Sequence, residues 1–342
     1  MKIKTAYIEI TNRCNLNCVT CYNRSGLNKV TKELSLKQIE DTINLFLPYG
    51  LERFLFSGGE PTLHSEFDKI LDLIDKYPQL TFGIVTNGTN PNKKLIEYLN
   101  SKANFKLQIS LDGSSEETNS KTRGKGNFAK TVDFAKQITT PSIKPLLKMV
   151  ISQNNFYDVE SFCNLALSLN FTPELAFIYK SGNGTDGWSN KELSSMQKMS
   201  VLKFTQRFNK EKSVDIFLPM CTTKCPLGTT LDELSLCIKT DGSIQPCQSL
   251  YSEKFTIGNI LSFDANLFLN NLNRISALAR QRYEKDFGCK KCIIKDICGG
   301  GCMAEAVNLY DDYLSDDGNC SFRKQQFIHL NLKGELHLLE KE

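Results

Sequence analysis

At 342 residues, 40% hydrophobic and 23% charged, the chain has the composition of a globular protein and is long enough for one large domain or two ordinary ones. A formal charge of only +4 excludes a nucleic-acid partner held by a strongly basic surface, and no apolar run is long enough to cross a bilayer. The first ten residues, MKIKTAYIEI, alternate like a strand and hold no signal-peptide core or cleavage pattern, so a cytoplasmic protein is expected.

The first two thirds alternate short β-rich runs with amphipathic stretches. In chain order the pattern predicts a strand over 5–10, a helix near 35–47, a strand over 53–57, a helix near 65–77 and a strand over 81–86. A helix near 92–100, a strand over 105–111, a helix near 127–138 and a strand over 144–151 follow. A helix near 155–169, a strand over 174–179 and a helix near 190–210 complete the series. Six strand–helix units with right-handed crossovers make an α/β fold, a partial (β/α)6 relative of the TIM barrel.

From Cys221 to Cys320 the texture changes. Cysteines and glycines are dense, and long helical periodicity is scarce. One β-hairpin reads clearly, LSLCIKT and SIQPC about a turn at Asp241-Gly242. The domain boundary is placed between residues 215 and 216, giving a barrel over 1–215 and a cysteine-rich domain over 216–342. After Cys320 the tail reads either as a helix or as a terminal hairpin, since IHLNL and ELHLL alternate about Lys333-Gly334.

Thirteen cysteines are too many for a chain of this size unless they are used. Dense disulfides belong to small secreted domains, whereas these cysteines cluster at metal-ligand spacings in a long chain. Directly after the first strand stand Cys14, Cys18 and Cys21. Three thiolates this close can hold three irons of a four-iron cluster and leave the fourth open to bind and reduce a ligand; a zinc half-site is the competing reading of the bare spacing. The next strands end in Ser57-Gly58-Gly59-Glu60-Pro61, Thr86-Asn87-Gly88 and Ser110-Leu111-Asp112-Gly113. The glycines let backbone approach a ligand, and Glu60 can accept from an ammonium group. All these signatures fall at the C-terminal ends of parallel strands, where such barrels build active sites.

On these motifs residues 5 to about 210 resemble the radical S-adenosylmethionine (SAM) superfamily. The resemblance implies a [4Fe–4S] cluster on Cys14, Cys18 and Cys21 whose open iron is chelated by SAM. It further implies that Gly58, Gly59 and Glu60 bind the methionine ammonium, Ser110 the ribose and Arg123 the carboxylate. Val150 and Ile151 would lie against the adenine. Thr20 departs from the aromatic residue often found before the third cysteine, which implies altered packing there. Arg123 reads equally as a solvated loop arginine and the TNG segment as a plain turn; Cys163 reads as a buried hydrophobe and His64 as a loop residue.

The second cysteine set is Cys289-x2-Cys292-x5-Cys298-x3-Cys302 followed by Cys320, with Cys221, Cys225, Cys237 and Cys247 upstream. Close CxxC pairs form compact chelates, and Gly299-Gly300-Gly301 would offer amides to cluster sulfurs; zinc is the competing occupant. These residues resemble the SPASM extension of radical enzymes that modify peptides and proteins. The resemblance implies one auxiliary cluster on Cys289, Cys292, Cys298 and Cys320. It implies another on Cys225, Cys247 and Cys302, with Cys221 as fourth ligand and Cys237 as its rival.

Three [4Fe–4S] clusters and SAM are therefore the implied cofactors. The implied activity is hydrogen abstraction from a peptide or protein residue by a 5′-deoxyadenosyl radical, installing a thioether or carbon–carbon crosslink in a ribosomally made peptide. An electron donor such as flavodoxin or ferredoxin is an implied partner. Many such enzymes carry an N-terminal peptide-binding domain; this chain starts at its first strand, so either a separate precursor-binding protein or direct recognition by the cysteine-rich domain is expected. A formylglycine-forming sulfatase maturase is the alternative, but Gln248 stands where that branch carries an acidic base. A sugar or aminocyclitol dehydrogenase is a further alternative, which the complete second cysteine set opposes.

Overall fold

A computed structural model of the chain describes residues 1–27, 30–216, 225–250, 252–284 and 292–334. Six parallel strands follow one another in order: β1 (Ile3–Thr11), β2 (Arg53–Gly58), β3 (Thr81–Thr86), β4 (Phe105–Ser110), β5 (Leu146–Ile151) and β6 (Thr172–Phe177). The predicted strands match these within a few residues. Alternating burial separates two faces of the sheet. Leu147, Met149 and Ile151 of β5 belong to the hydrophobic core with Phe105, Leu107 and Ile109 of β4, and the residues between them face the other way, half-buried or exposed. Phe54, Phe56 and Phe82 fill the same core, with Phe56 and Phe82 stacked at 5.8 Å.

The sheet curls. Tyr7 on β1 and Glu174 on β6 stand five strands apart, roughly 24 Å in a flat sheet at about 4.8 Å per strand. Yet Asn183, in the segment after β6, donates to the Cys18 carbonyl in the loop after β1 at 2.8 Å, and the Glu174 carboxylate is among the groups that raise the Tyr7 phenol's pKa, after burial. The second face therefore lines a lumen, as in a partial barrel.

Helices α1 (Leu36–Phe46), α2 (Phe67–Leu71), α3 (Leu73–Lys76) and α4 (Lys93–Ser101) connect the first four strands. Ser35 and Gln38 form a reciprocal cap at the start of α1. The predicted helix over 65–77 is broken in two at Asp72. A short α5 (Glu116–Arg123) then precedes α6 (Phe128–Ala135), α7 (Val159–Ser168) and α8 (Ser195–Lys212), the last again opened by a capping box, Ser194 with Gln197.

The predicted hairpin forms as β7 (Leu234–Ile238) and β8 (Ser243–Gln245), with a two-residue β9 (Gly258–Asn259) beside it. β7 does not stand apart: it pairs in parallel with β1, so among the described residues nine strands make one sheet in the order β6-β5-β4-β3-β2-β1-β7-β8-β9. The cysteine-rich part is also more helical than its sequence texture suggests. The twenty-residue α9 (Ala265–Glu284) packs Phe268, Leu272, Ile275 and Ala279 into the core, and α10 (Lys295–Cys298) and α11 (Met303–Tyr310) follow. The tail is helix α12 (Cys320–Leu332), so 328–332 is not the first strand of a hairpin; residues 335–342 lie outside the described residues. Phe322 of α12 meets Phe177 of β6 edge-on at 5.6 Å, so the C-terminal part reaches both flanks of the barrel. Among the described residues no helix is long and apolar enough to cross a membrane.

Candidate active site

The loop carrying Cys14, Cys18 and Cys21 leaves β1 at Thr11 and is pressed from one side by the end of β2. The Gly59 amide donates to the Thr11 carbonyl and the Glu60 amide to that of Arg13, each at 2.8 Å. A Cβ on Gly58 would fall less than 3.0 Å from the Thr11 oxygen, and one on Gly59 less than 3.0 Å from the Arg13 oxygen. The two glycines are thus required by chain meeting chain, a different reason from the ligand approach that the sequence suggests.

Glu60 is buried, 1% exposed. Its Oε1 accepts from the Thr62 amide (3.2 Å), the Thr62 hydroxyl (2.8 Å) and the Thr86 hydroxyl (2.7 Å), and its Oε2 from the Asn87 amide (2.8 Å). Burial pushes its pKa up against these four donors. The TNG segment is therefore no idle turn. It ties Glu60 to β3, and the Asn87 Nδ2 donates onward to Asn15 inside the cysteine loop at 3.0 Å. His64 is a loop residue, as its sequence suggests, but a buried one; its Nδ1 accepts from the Glu66 amide, so its Nε2 donates to the Leu34 carbonyl at 2.8 Å.

The opposite side of the loop is clamped by the segment that follows β6. The Asn183 amide donates to the Cys21 carbonyl (2.8 Å), its Nδ2 to the Cys18 carbonyl (2.8 Å) and the Ser181 hydroxyl to the Tyr22 carbonyl (3.2 Å). Lys191 Nζ donates to the Val19 carbonyl at 3.1 Å, and Arg24 pairs with Asp186 at 2.8 Å. At Gly182 (φ +53°) a Cβ would collide with the Cys21 and Tyr22 carbonyl oxygens. Sequence reasoning passed over Gly182, Asn183 and Lys191, although Ser181-Gly182-Asn183-Gly184 is one more polar, glycine-rich run at the C-terminal end of a strand.

Arg123 is not a solvated loop residue. Its side chain is 11% exposed, its Nε lies 2.9 Å from the fully buried Asp112 carboxylate, and its guanidinium reaches within 3.9 Å of Cys18 Sγ. Burial opposes its charge, but Asp112 and Cys18 outweigh that and hold its pKa above the ordinary value. Asp112 also accepts from the Val150 amide at 2.9 Å. The Cys14 and Cys18 thiols are pushed up to about 12 and about 11, chiefly by burial, so loading a metal there must displace protons.

Ser110, half-buried at the end of β4, pairs in register with Lys148 of β5, which pairs with Glu174 of β6. The three stand level on the lumen face, with Lys148 Nζ 2.7 Å from Glu174 Oε1. Val150 shares that face. The Ile151 side chain does not: it is 0% exposed in the core beneath the sheet, and what it offers above is backbone, its carbonyl accepting from Ile178.

In the C-terminal part Cys225, Cys247 and Cys302 line one cavity of about 220 Å3, walled by Leu227, Leu250 and Met303. Burial raises all three thiols, Cys247 to about 11. Three thiols on an apolar chamber suit a soft-metal cluster. Cys237 does not line it; it sits on β7 in register with Tyr7. Cys221 lies outside the described residues, as does Cys289. Cys298 and Cys320 lie close enough for one to raise the other's thiol pKa, and Arg323 donates to Cys298 Sγ at 3.4 Å; Cys292 stands ahead of α10, its carbonyl accepting from the Lys295 amide. Arg323 is ion-paired with Asp317, which accepts from the Cys302 amide at 2.9 Å, so one buried pair links the two cysteine sets. Gly299, Gly300 and Gly301 all take positive φ, but the Gly299 and Gly301 amides are spent on the Lys295 and Cys298 carbonyls rather than left for sulfur. Among the described residues no three His, Cys, Asp or Glu side chains converge on one point as ligands of a single ion do.

Residues 8–151 match the family model described as the Radical SAM superfamily. The chain is 28% identical over 308 residues to mycofactocin maturase MftC of Mycolicibacterium smegmatis, covering 86% of this chain and 77% of that protein. Among solved structures it shares the fold of anSMEcpe with bound AdoMet, with a TM-score of 0.77 at 21% identity, covering 99% of this chain and 100% of that one. Streptococcus suis SuiB bound to its precursor peptide SuiA aligns with a TM-score of 0.76 at 16% identity, over 93% of this chain and 76% of that one.

Proposed function

From a chain that carries a radical SAM domain, we propose that this protein is a SPASM-type maturase that modifies a ribosomally made peptide, most simply by a thioether or carbon–carbon crosslink. The observation that carries the reading is the pairing of two cysteine sites in one sheet. A three-cysteine loop is braced at the mouth of the barrel, and a three-cysteine chamber adjoins β7, itself hydrogen-bonded to β1. MftC is named a maturase and SuiB is seen with a precursor peptide, which supports a peptide as the substrate here.

In this reading Cys14, Cys18 and Cys21 would hold a [4Fe–4S] cluster that, with SAM bound, would supply a 5′-deoxyadenosyl radical once reduced. Glu60 keeps one carboxylate oxygen with a single donor, free to accept from the methionine ammonium. Ser110 meets the ribose, and Arg123, steadied by Asp112, offers its remaining guanidinium nitrogens to the carboxylate. Val150 and the Ile151 backbone border the adenine. Cys225, Cys247 and Cys302, completed by Cys221, and the set Cys289, Cys292, Cys298 and Cys320 hold two auxiliary clusters. The division between barrel and SPASM domain falls at residues 215 and 216. A flavodoxin or ferredoxin supplies electrons in the cytoplasm, and a separate protein presents the precursor.

Anaerobically reconstituted full-length protein is expected to bind about twelve irons, as three four-iron clusters require, and to release 5′-deoxyadenosine from SAM when reduced. Zinc in place of iron, or no 5′-deoxyadenosine even with the peptide encoded beside its gene, refutes the reading.

A further inference from the structure

Forming a crosslink between a C–H carbon and an S–H, N–H or second C–H group removes two hydrogens from the peptide. One departs as an atom to the 5′-deoxyadenosyl radical, giving 5′-deoxyadenosine. The other must leave as an electron and a proton. An iron–sulfur centre in the cysteine-lined chamber is the class of acceptor for the electron. The proton needs a base in the lumen, and Gln248 cannot be one.

The carboxylates around the mouth are mostly committed. Glu60 holds four donors, Asp112 holds Arg123 and the Val150 amide, and Glu9 is 3% exposed within the sheet. Glu174 differs. It stands on the lumen face of β6, level with Ser110 through the register pairs Ser110–Lys148 and Lys148–Glu174, so it lies at the height expected of the ribose. Its side chain is 27% exposed, accessible to a bound peptide, and Lys148 donates to it at 2.7 Å. An ammonium in that position fixes the carboxylate's orientation. Tyr7 of β1 faces it across the lumen, with Arg53 of β2 and Cys237 of β7 around the same phenol.

We propose that Glu174, held by Lys148, is the group that accepts the proton lost by the substrate as its new bond forms. This rests on the maturase reading above and adds to it the residue that completes the reaction's proton balance.

The test uses full-length, anaerobically reconstituted enzyme with SAM, dithionite and a synthetic copy of the short peptide encoded beside its gene. Two products are followed: 5′-deoxyadenosine, and peptide lighter by two hydrogens. Wild type that makes no 5′-deoxyadenosine overturns the maturase reading, and this assignment with it. Given active wild type, Glu174→Gln should keep 5′-deoxyadenosine formation within about twofold while mature peptide falls about 100-fold or more, the low end of what a positioned base contributes. Mature peptide at the wild-type rate overturns the proposal, as does parallel loss of both products, which would mean a structural role. Should the Gln variant fold poorly, Lys148→Gln answers instead. Without the ammonium that orients the carboxylate, mature peptide should fall about tenfold or more while 5′-deoxyadenosine release is kept; maturation at the wild-type rate overturns the assignment.

Discussion

Replacing Gly182 by alanine tests whether the segment after β6 sets the position of the cysteine loop. Two costs arise. At φ +53° an L-residue is disfavoured by about 1–2 kcal/mol. The new methyl would also lie under 3.0 Å from the carbonyl oxygens of both Cys21 and Tyr22, and these are backbone atoms that cannot swing aside. The loop must withdraw by roughly 1 Å, a displacement that costs on the order of 100-fold in rate when it misplaces reacting groups. Withdrawal breaks the bonds from the Asn183 amide, the Asn183 side chain and the Ser181 hydroxyl, each contributing about 1 kcal/mol. Gly187 supplies the control, since it has φ +59° but nothing within 4 Å of its would-be Cβ. Gly187→Ala thus shares the backbone strain without the collision. Iron content and 5′-deoxyadenosine release, measured on both variants after identical anaerobic reconstitution, should fall for Gly182→Ala and stay near wild type for Gly187→Ala. Equal iron and equal cleavage in the two would refute the clamp.

Asp112→Asn leaves the Arg123 guanidinium buried without its counter-charge and should cost about 3–5 kcal/mol in denaturant unfolding; a loss below about 1 kcal/mol would mean the pair is solvated. Cys302→Ala should remove about four irons per chain, one cluster's worth, while Cys163→Ala, in the core of α7, should remove none. Lys94 and Lys102 hold Asp72 and Asp75 below the usual carboxylate range by donating to them. Their contribution is thus present above the unfolded-state pKa near 4 and fades as pH falls through the lower folded values. Asp72→Asn and Asp75→Asn should each lose under about 1 kcal/mol at neutral pH, since both pairs are exposed, and converge with wild type in acid.

The barrel strands were legible because each is a short β-rich run between turn signals, and because the polar signatures all fell at one end of them. α5 was not. Its sequence EETNSKTR has no apolar stripe, and it is fixed by the Ser115 cap and by burial of Thr118, Asn119 and Thr122 against the loop. α9 does carry a stripe, Phe268, Leu272, Ile275 and Ala279, but the exposed Leu267 and Leu269 blur it. In the tail, Phe322, Gln326 and Leu330 keep a helical spacing of four that coexists with alternation over 328–332, and packing against α8 decides for the helix. The cysteine positions were legible as spacing, whereas the partners that brace them come from distant segments. Asn183 meets Cys18 across 165 residues, a contact no local pattern encodes.

The parallel pairing of β7 with β1 bears on how this chain can be dissected. Cutting near residue 215 would not separate two self-sufficient pieces. It would strip the strand that launches the three-cysteine loop of its neighbour on one side, baring a row of amides and carbonyls from Ile3 to Ile8. Such a border invites another chain to pair along it, so a truncated barrel is expected to associate with itself.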